Sequence, residues 1–113
     1  MPQTMKKGVN ALVAEALDGL PTMSVEDAMA LVDDDSYVFV DVREGAEQAR
    51  GVISGAVKSS RGLLEYHIDP DSPSHKPELA GEKTFIFYCA AGGRSALAAK
   101  AAAEMGMGPI VNL

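Results

Sequence analysis

The chain has 113 residues, 47% of them hydrophobic, and a formal net charge of −6. That length suits one domain around one core, and no apolar run is long enough to span a bilayer. The acidic balance argues against a nucleic-acid partner, whose phosphates call for a clustered basic surface, and a lone cysteine, Cys89, excludes an internal disulfide and any multi-thiolate metal site.

Lys6 and Lys7 precede an apolar stretch that Glu15 and Asp18 interrupt, so it reads as an amphipathic helix and not as an export signal. The expected compartment is therefore the cytoplasm. Residues 6–20 place Val9, Leu12, Val13, Ala16, Leu17 and Leu20 on one helical face, and Pro21 ends the run. Ser24 is suited to cap a second helix, with Asp27 three positions on, and Val25, Ala28, Met29 and Val32 form its buried stripe. Residues 37–40, Tyr-Val-Phe-Val, predict a buried strand, with Asp41 and Arg43 just past its end. A short helix follows over 44–50, closed by Gly51, and a second strand begins at Ala56 and Val57. Residues 61–68 are helical, and the loop after them is rich in Asp, Pro, Ser and His. His67, His75, Asp69 and Asp71 match no metal-ligand spacing there.

The clearest strand is residues 84–88, Thr-Phe-Ile-Phe-Tyr, apolar on both faces as a central parallel strand should be. It runs straight into Cys89-Ala90-Ala91-Gly92-Gly93-Arg94-Ser95 and an alanine-rich helix that reaches about Met105. A last strand covers 110–113. Strands alternating with helices predict an α/β fold, a central parallel sheet with helices on both faces. Functional sites in such sheets lie beyond the carboxyl ends of the strands, which is where Cys89 and Asp41 fall.

A cysteine reacts as its thiolate, and a free thiol has a pKa of about 8.5. The sequence offers several ways to lower it. The loop's backbone amides can form an anion nest, and the following helix presents its positive end to the same point. Arg94 adds a planar cation. Gly92 and Gly93 are expected to supply the backbone angles of a tight turn.

The stretch from Tyr88 to Ala98 resembles the active-site loop and helix of single-domain rhodaneses. Asp41-Val42-Arg43-Glu44, then Glu47 and Gly51-Val52-Ile53-Ser54-Gly55-Ala56, is similar to a second signature of that family. The resemblance covers residues 24–113, leaving 1–23 as a helical extension packed on the domain. It implies a sulfurtransferase in which Cys89 takes sulfane sulfur from a donor such as thiosulfate, becomes a persulfide, and passes the sulfur to cyanide, a thiol or an acceptor protein. Ala90, Ala91, Gly92, Gly93, Arg94 and Ser95 would bind the anionic groups, Arg61 would lie on the pocket rim, and Asp41 and Arg43 would pair behind the site. No cofactor, metal, nucleic acid or membrane is implied, and the protein is expected to be a monomer or homodimer.

Val52, Ser54 and Gln48 depart from the family's usual His, Pro and aromatic residues. Relatives also continue past the last strand with a further helix that bears a tryptophan, so one sheet face near Leu113 is expected to lack helical cover or to be completed by more chain or a second subunit. A cysteine phosphatase or arsenate reductase also uses a Cys–Arg loop, but one residue longer than this one. A non-catalytic rhodanese module for partner binding or sulfur and redox sensing is the other alternative, and the loop lacks the spacing and lysine of a nucleotide-binding P-loop.

Overall fold

In the computed structural model, which describes residues 2–113, the strands β1 (Tyr37–Asp41), β2 (Val57–Lys58), β3 (Thr84–Tyr88) and β4 (Ile110–Asn112) form one parallel sheet ordered β2-β1-β3-β4. Parallel neighbours need crossovers, and the intervening segments supply them. These are α3 (Gly45–Gln48), a 3-10 turn at Arg61–Leu63 leading into α4 (Leu64–Ile68), and α5 (Gly93–Glu104). Two helices precede the sheet, α1 (Val9–Leu17) and α2 (Val25–Met29).

Alternation along the strands divides the core between two faces. Val40, Val42, Phe85, Phe87 and Ile110 pack against Leu64 and Ile68 of α4 and Ala98, Ala99 and Ala102 of α5. The alanines of α5 at 96, 98, 99 and 102 are fully buried, so small side chains bring this helix close to the sheet. On the other face Phe39, Ile86 and Tyr88 pack against Ala28 of α2 and against Ile53 and Ala56 from the loop before β2. Helices thus cover both faces, but unequally.

Three expectations need correction. The first helix ends at Leu17, short of Pro21, and Gly19 turns the chain with φ +75°. Its apolar face is only partly used. Ala16 is buried and Val13 and Leu20 are half-buried, but Val9, Leu12 and Leu17 are exposed. Helical periodicity identifies a face, whereas burial needs a partner wide enough to cover it. α1 lies against α5, itself a slender helix. In α2 the Ser24 Oγ accepts from the Asp27 amide at 3.1 Å as a cap should, yet Val25 and Met29 are exposed and only Ala28 is buried. Beside them Val111 and Leu113 are half-buried, while Phe39 and Ile86 at the sheet centre remain covered. The cover is therefore thin around the sheet centre, over the cleft that runs from Leu113 to Ile53 and at the β4 edge. There Thr22 bridges to Asn112 in parallel fashion and extends the sheet by one residue. No helix among the described residues is long and apolar enough to cross a membrane.

Candidate active site

Cys89 follows β3 directly, at the carboxyl edge of the sheet, and is half-buried. The chain then turns through Ala90 and Ala91 to Gly92, which caps α5 with φ +90°. A side chain there would be strained by the left-handed backbone, and its Cβ would also lie 3.6 Å from the Leu113 carbonyl oxygen. Gly93 differs from its expected role. It is the first helical residue and has no left-handed backbone, and its open side faces Val13 of α1, whose Cγ2 would lie 3.7 Å from a Cβ.

The turn folds donors onto the sulfur. The Gly92 amide donates to Cys89 Sγ at 3.0 Å and the Ser95 amide at 3.4 Å. The neutral thiol donates to Ser95 Oγ at 3.5 Å, and that hydroxyl donates to the Gly92 carbonyl at 3.1 Å. On ionisation the Ser95 hydroxyl can turn and donate to sulfur instead. Burial opposes the thiolate, but the hydroxyl and amide of Ser95 with the amides of Ala91 and Gly92 outweigh it, so the thiol pKa falls below its ordinary value. The positive end of α5 acts in the same direction. Asn112 braces the turn from β4, its Nδ2 donating to the Gly92 carbonyl at 3.3 Å.

Arg94 is placed otherwise than the sequence suggests. Its Nη1 and Nη2 donate to the two carboxylate oxygens of Glu47 at 2.6 and 2.9 Å, so the planar fork meets a protein carboxylate and not the sulfur. Glu47 belongs to a capping box at the start of α3, where its Oε1 also accepts from the Glu44 amide at 3.1 Å. Arg94 and that amide hold the Glu47 carboxyl at a pKa of about 2.

Asp41 and Arg43 sit beside this loop as an ion pair. Asp41 is fully buried; Arg43 Nη2 donates to its Oδ2 at 2.9 Å and Nε to its Oδ1 at 3.1 Å. Tyr88 faces Asp41 in the strand register, donates its hydroxyl to Oδ2 at 3.0 Å and accepts from the Ile53 amide at 3.1 Å. Arg43 also donates to the Gly51 carbonyl at 2.7 Å. This network fastens the loop before β2 to the sheet. Arg61, expected on the pocket rim, instead pairs with Glu65 at 2.9 Å one helical turn on, and it lines neither cleft that reaches Cys89. His67 bonds Ser59 Oγ at 2.8 Å and His75 bonds the His67 carbonyl at 3.0 Å, so both are engaged in local structure.

Two apolar clefts open on the sulfur. One, of about 330 Å3, runs between α1 and α5 and is lined by Val9, Asn10, Val13, Arg94 and Leu97. The other, of about 520 Å3, lies beneath α2 between Val25, Met29, Ile53, Tyr88 and Leu113. Three contributors escaped the sequence reading. Glu47 carried a signal, since it stands three residues after Glu44 in capping-box spacing, but nothing local ties it to Arg94. The Tyr88 hydroxyl and Asn112 carried none, because a strand residue's partners lie across the sheet.

A family model described as a rhodanese-like domain matches residues 24–113. Among solved structures, a Rhodopseudomonas palustris protein of unknown function, described as a possible tyrosine phosphatase, is 44% identical over 99% of this chain and 87% of its own, with a TM-score of 0.93. An uncharacterized Saccharomyces cerevisiae protein is 29% identical over 82% of this chain and 83% of its own, with a TM-score of 0.68. The human single-domain sulfurtransferase TSTD1 is 26% identical over 83% of this chain and 88% of its own, with a TM-score of 0.67. No curated protein matches the chain.

Proposed function

Because the chain belongs to the rhodanese-like family, we propose that it is a sulfurtransferase that carries sulfane sulfur on Cys89. The observation that carries this reading is the convergence of the Gly92 and Ser95 amides on Cys89 Sγ at 3.0 and 3.4 Å. Preformed donors of this kind stabilise a thiolate before transfer and a persulfide after it. The likeness to human TSTD1 supports the same chemistry.

In the first step the Cys89 thiolate attacks the outer sulfur of a donor such as thiosulfate. A bond from Sγ to that sulfur forms as the donor's own bond to it breaks, and sulfite departs with the electron pair. In the second step an acceptor thiolate or cyanide attacks the outer sulfur of the persulfide, and Cys89 leaves as thiolate. With no second cysteine in the chain, the acceptor must come from outside.

A phosphatase reading is raised by the description of the Rhodopseudomonas palustris protein. The loop of a cysteine phosphatase holds one residue more between its cysteine and arginine than the four that separate Cys89 and Arg94, which leaves less room to wrap a phosphoryl group.

The test is intact-protein mass spectrometry after incubation with thiosulfate and, separately, with an organic thiosulfonate. One added sulfur is expected with at least one donor, lost on adding cyanide and absent from Cys89→Ala. No added sulfur from either donor would overturn the reading.

A further inference from the structure

The cations around Cys89 are all matched by carboxylates. Arg94, in the wall of the cleft between α1 and α5, is paired with Glu47, and Glu44 adds a further negative charge nearby. Arg43 is paired with Asp41 and Arg61 with Glu65. Among the described residues no unpaired cation lines either cleft that reaches the sulfur, and the whole chain carries −6. A dianion such as thiosulfate must then approach a thiolate with little beyond backbone dipoles to draw it in.

The cleft itself favours something else. Val9, Val13 and Leu97 line it within reach of Cys89 and Arg94. Val9 is 63% exposed, so an apolar side chain stands open to water at the entrance. Two of these walls come from α1, which precedes the residues matched by the family model. The contact of Val13 with Gly93 seats α1 against the sulfur loop itself.

Resting on the sulfurtransferase reading, we infer that α1 selects the donor: Cys89 takes its sulfur from an organic sulfane-sulfur compound that bears at most one negative charge and lays an apolar body against Val9, Val13 and Leu97. For a thiosulfonate, R–SO2–S⁻, the Cys89 thiolate attacks the terminal sulfur. The new Sγ–S bond forms as the S–SO2 bond breaks, and the sulfinate R–SO2⁻ leaves with the electron pair. Two negative charges enter and two remain, with no proton moved and no external oxidant. An alkyl persulfide reacts alike, with a thiolate as the leaving group.

The experiment measures the rate of Cys89 persulfidation with thiosulfate and with methane-, butane- and benzenethiosulfonate, which hold the reacting group and charge fixed while the body grows. Burial of a methylene corresponds to roughly a fourfold gain, so butanethiosulfonate should load faster than methanethiosulfonate by at least tenfold, and thiosulfate should be slowest. Val9→Asn, a neutral change at an exposed site, should flatten this dependence by slowing butanethiosulfonate several-fold more than methanethiosulfonate. Met29→Asn, in the other cleft, should leave the dependence intact. Rates independent of the body, thiosulfate as the fastest donor, or a dependence removed by Met29→Asn and not by Val9→Asn would each overturn the inference while leaving sulfur transfer standing. Failure to load from any donor would overturn both.

Discussion

Arg94 and Glu47 meet fork to fork, Nη1 to Oε1 at 2.6 Å and Nη2 to Oε2 at 2.9 Å, joining the first turn of α5 to the start of α3. Bidentate pairing fixes an arginine's plane as well as its charge. Here it offsets the charge of the one cation that the loop sequence supplies, while Arg94 still lines a cleft that reaches Cys89.

Glu47→Gln keeps the side chain's shape and its acceptor oxygen but leaves Arg94 with an uncompensated charge. Thiosulfate loading of Cys89 should rise several-fold, while loading from a singly charged donor should change less. Both members of the pair are about a third exposed, so solvent screens the pair and unfolding stability should drop only slightly. Stopped-flow loading and urea titration measure the two effects, and an unchanged thiosulfate rate would show that the pair does not restrain Arg94.

Ser95→Ala removes the hydroxyl that stabilises the thiolate and leaves the loop amides in place. The pH midpoint for alkylation of Cys89 should move upward toward that of a free thiol, about 8.5, and alkylation at neutral pH should slow. In the unsubstituted protein the midpoint should lie below the free value, as the lowered thiol pKa requires. A midpoint at or above the free value would remove the case for an activated sulfur.

Acid should weaken the fold through two carboxylates. Glu47 is held down to about 2 from an ordinary 4.5. Burial pushes the Asp41 carboxyl up, but bonds from Arg43 and Tyr88 more than offset it, so it too lies below its ordinary range. A depressed pKa gives stability that is present above the unfolded value and is lost as pH falls through the folded one. The loss should therefore begin near pH 4.5 and continue toward 2. Asp41→Asn should lower stability by about 3 kcal/mol at neutral pH, because it leaves Arg43 and Tyr88 without their charged partner. It should also flatten part of the acid limb. Thermal melts across this range, for both proteins, read the slope directly.

Gly92→Ala should destabilise the fold by about 1–2 kcal/mol, the cost of a Cβ on a left-handed backbone, while the same change at Gly93 should cost little. Urea midpoints with an unchanged m value would establish the contrast. Equal losses at the two positions would mean that both glycines are conformationally required.

Wherever neighbours in sequence decide the outcome, the chain could be read directly. The apolar runs at 37–40 and 84–88 become β1 and β3, Ser24 caps α2, and Cys89 falls at a strand end because the strand before it is unmistakable. What sequence could not convey depends on distant partners. Arg94 and Glu47 stand 47 positions apart, and no local rule selects one arginine for one glutamate. The exposure of Val9, Leu12 and Leu17 is likewise set by the width of α5 beneath them and not by their own periodicity. Gly92 and Gly93 look alike as a dipeptide, and only the course of the turn separates a strained position from an ordinary helical one.

Asn112 holds the Gly92 carbonyl through its side chain, while its backbone donates to Pro21 and accepts from Met23. One residue thus clasps the segment that leads in from α1 and the turn that carries the sulfur. Loosening of that segment cannot remain a private event at the chain's beginning, because Asn112 joins it to the turn that surrounds the Cys89 sulfur.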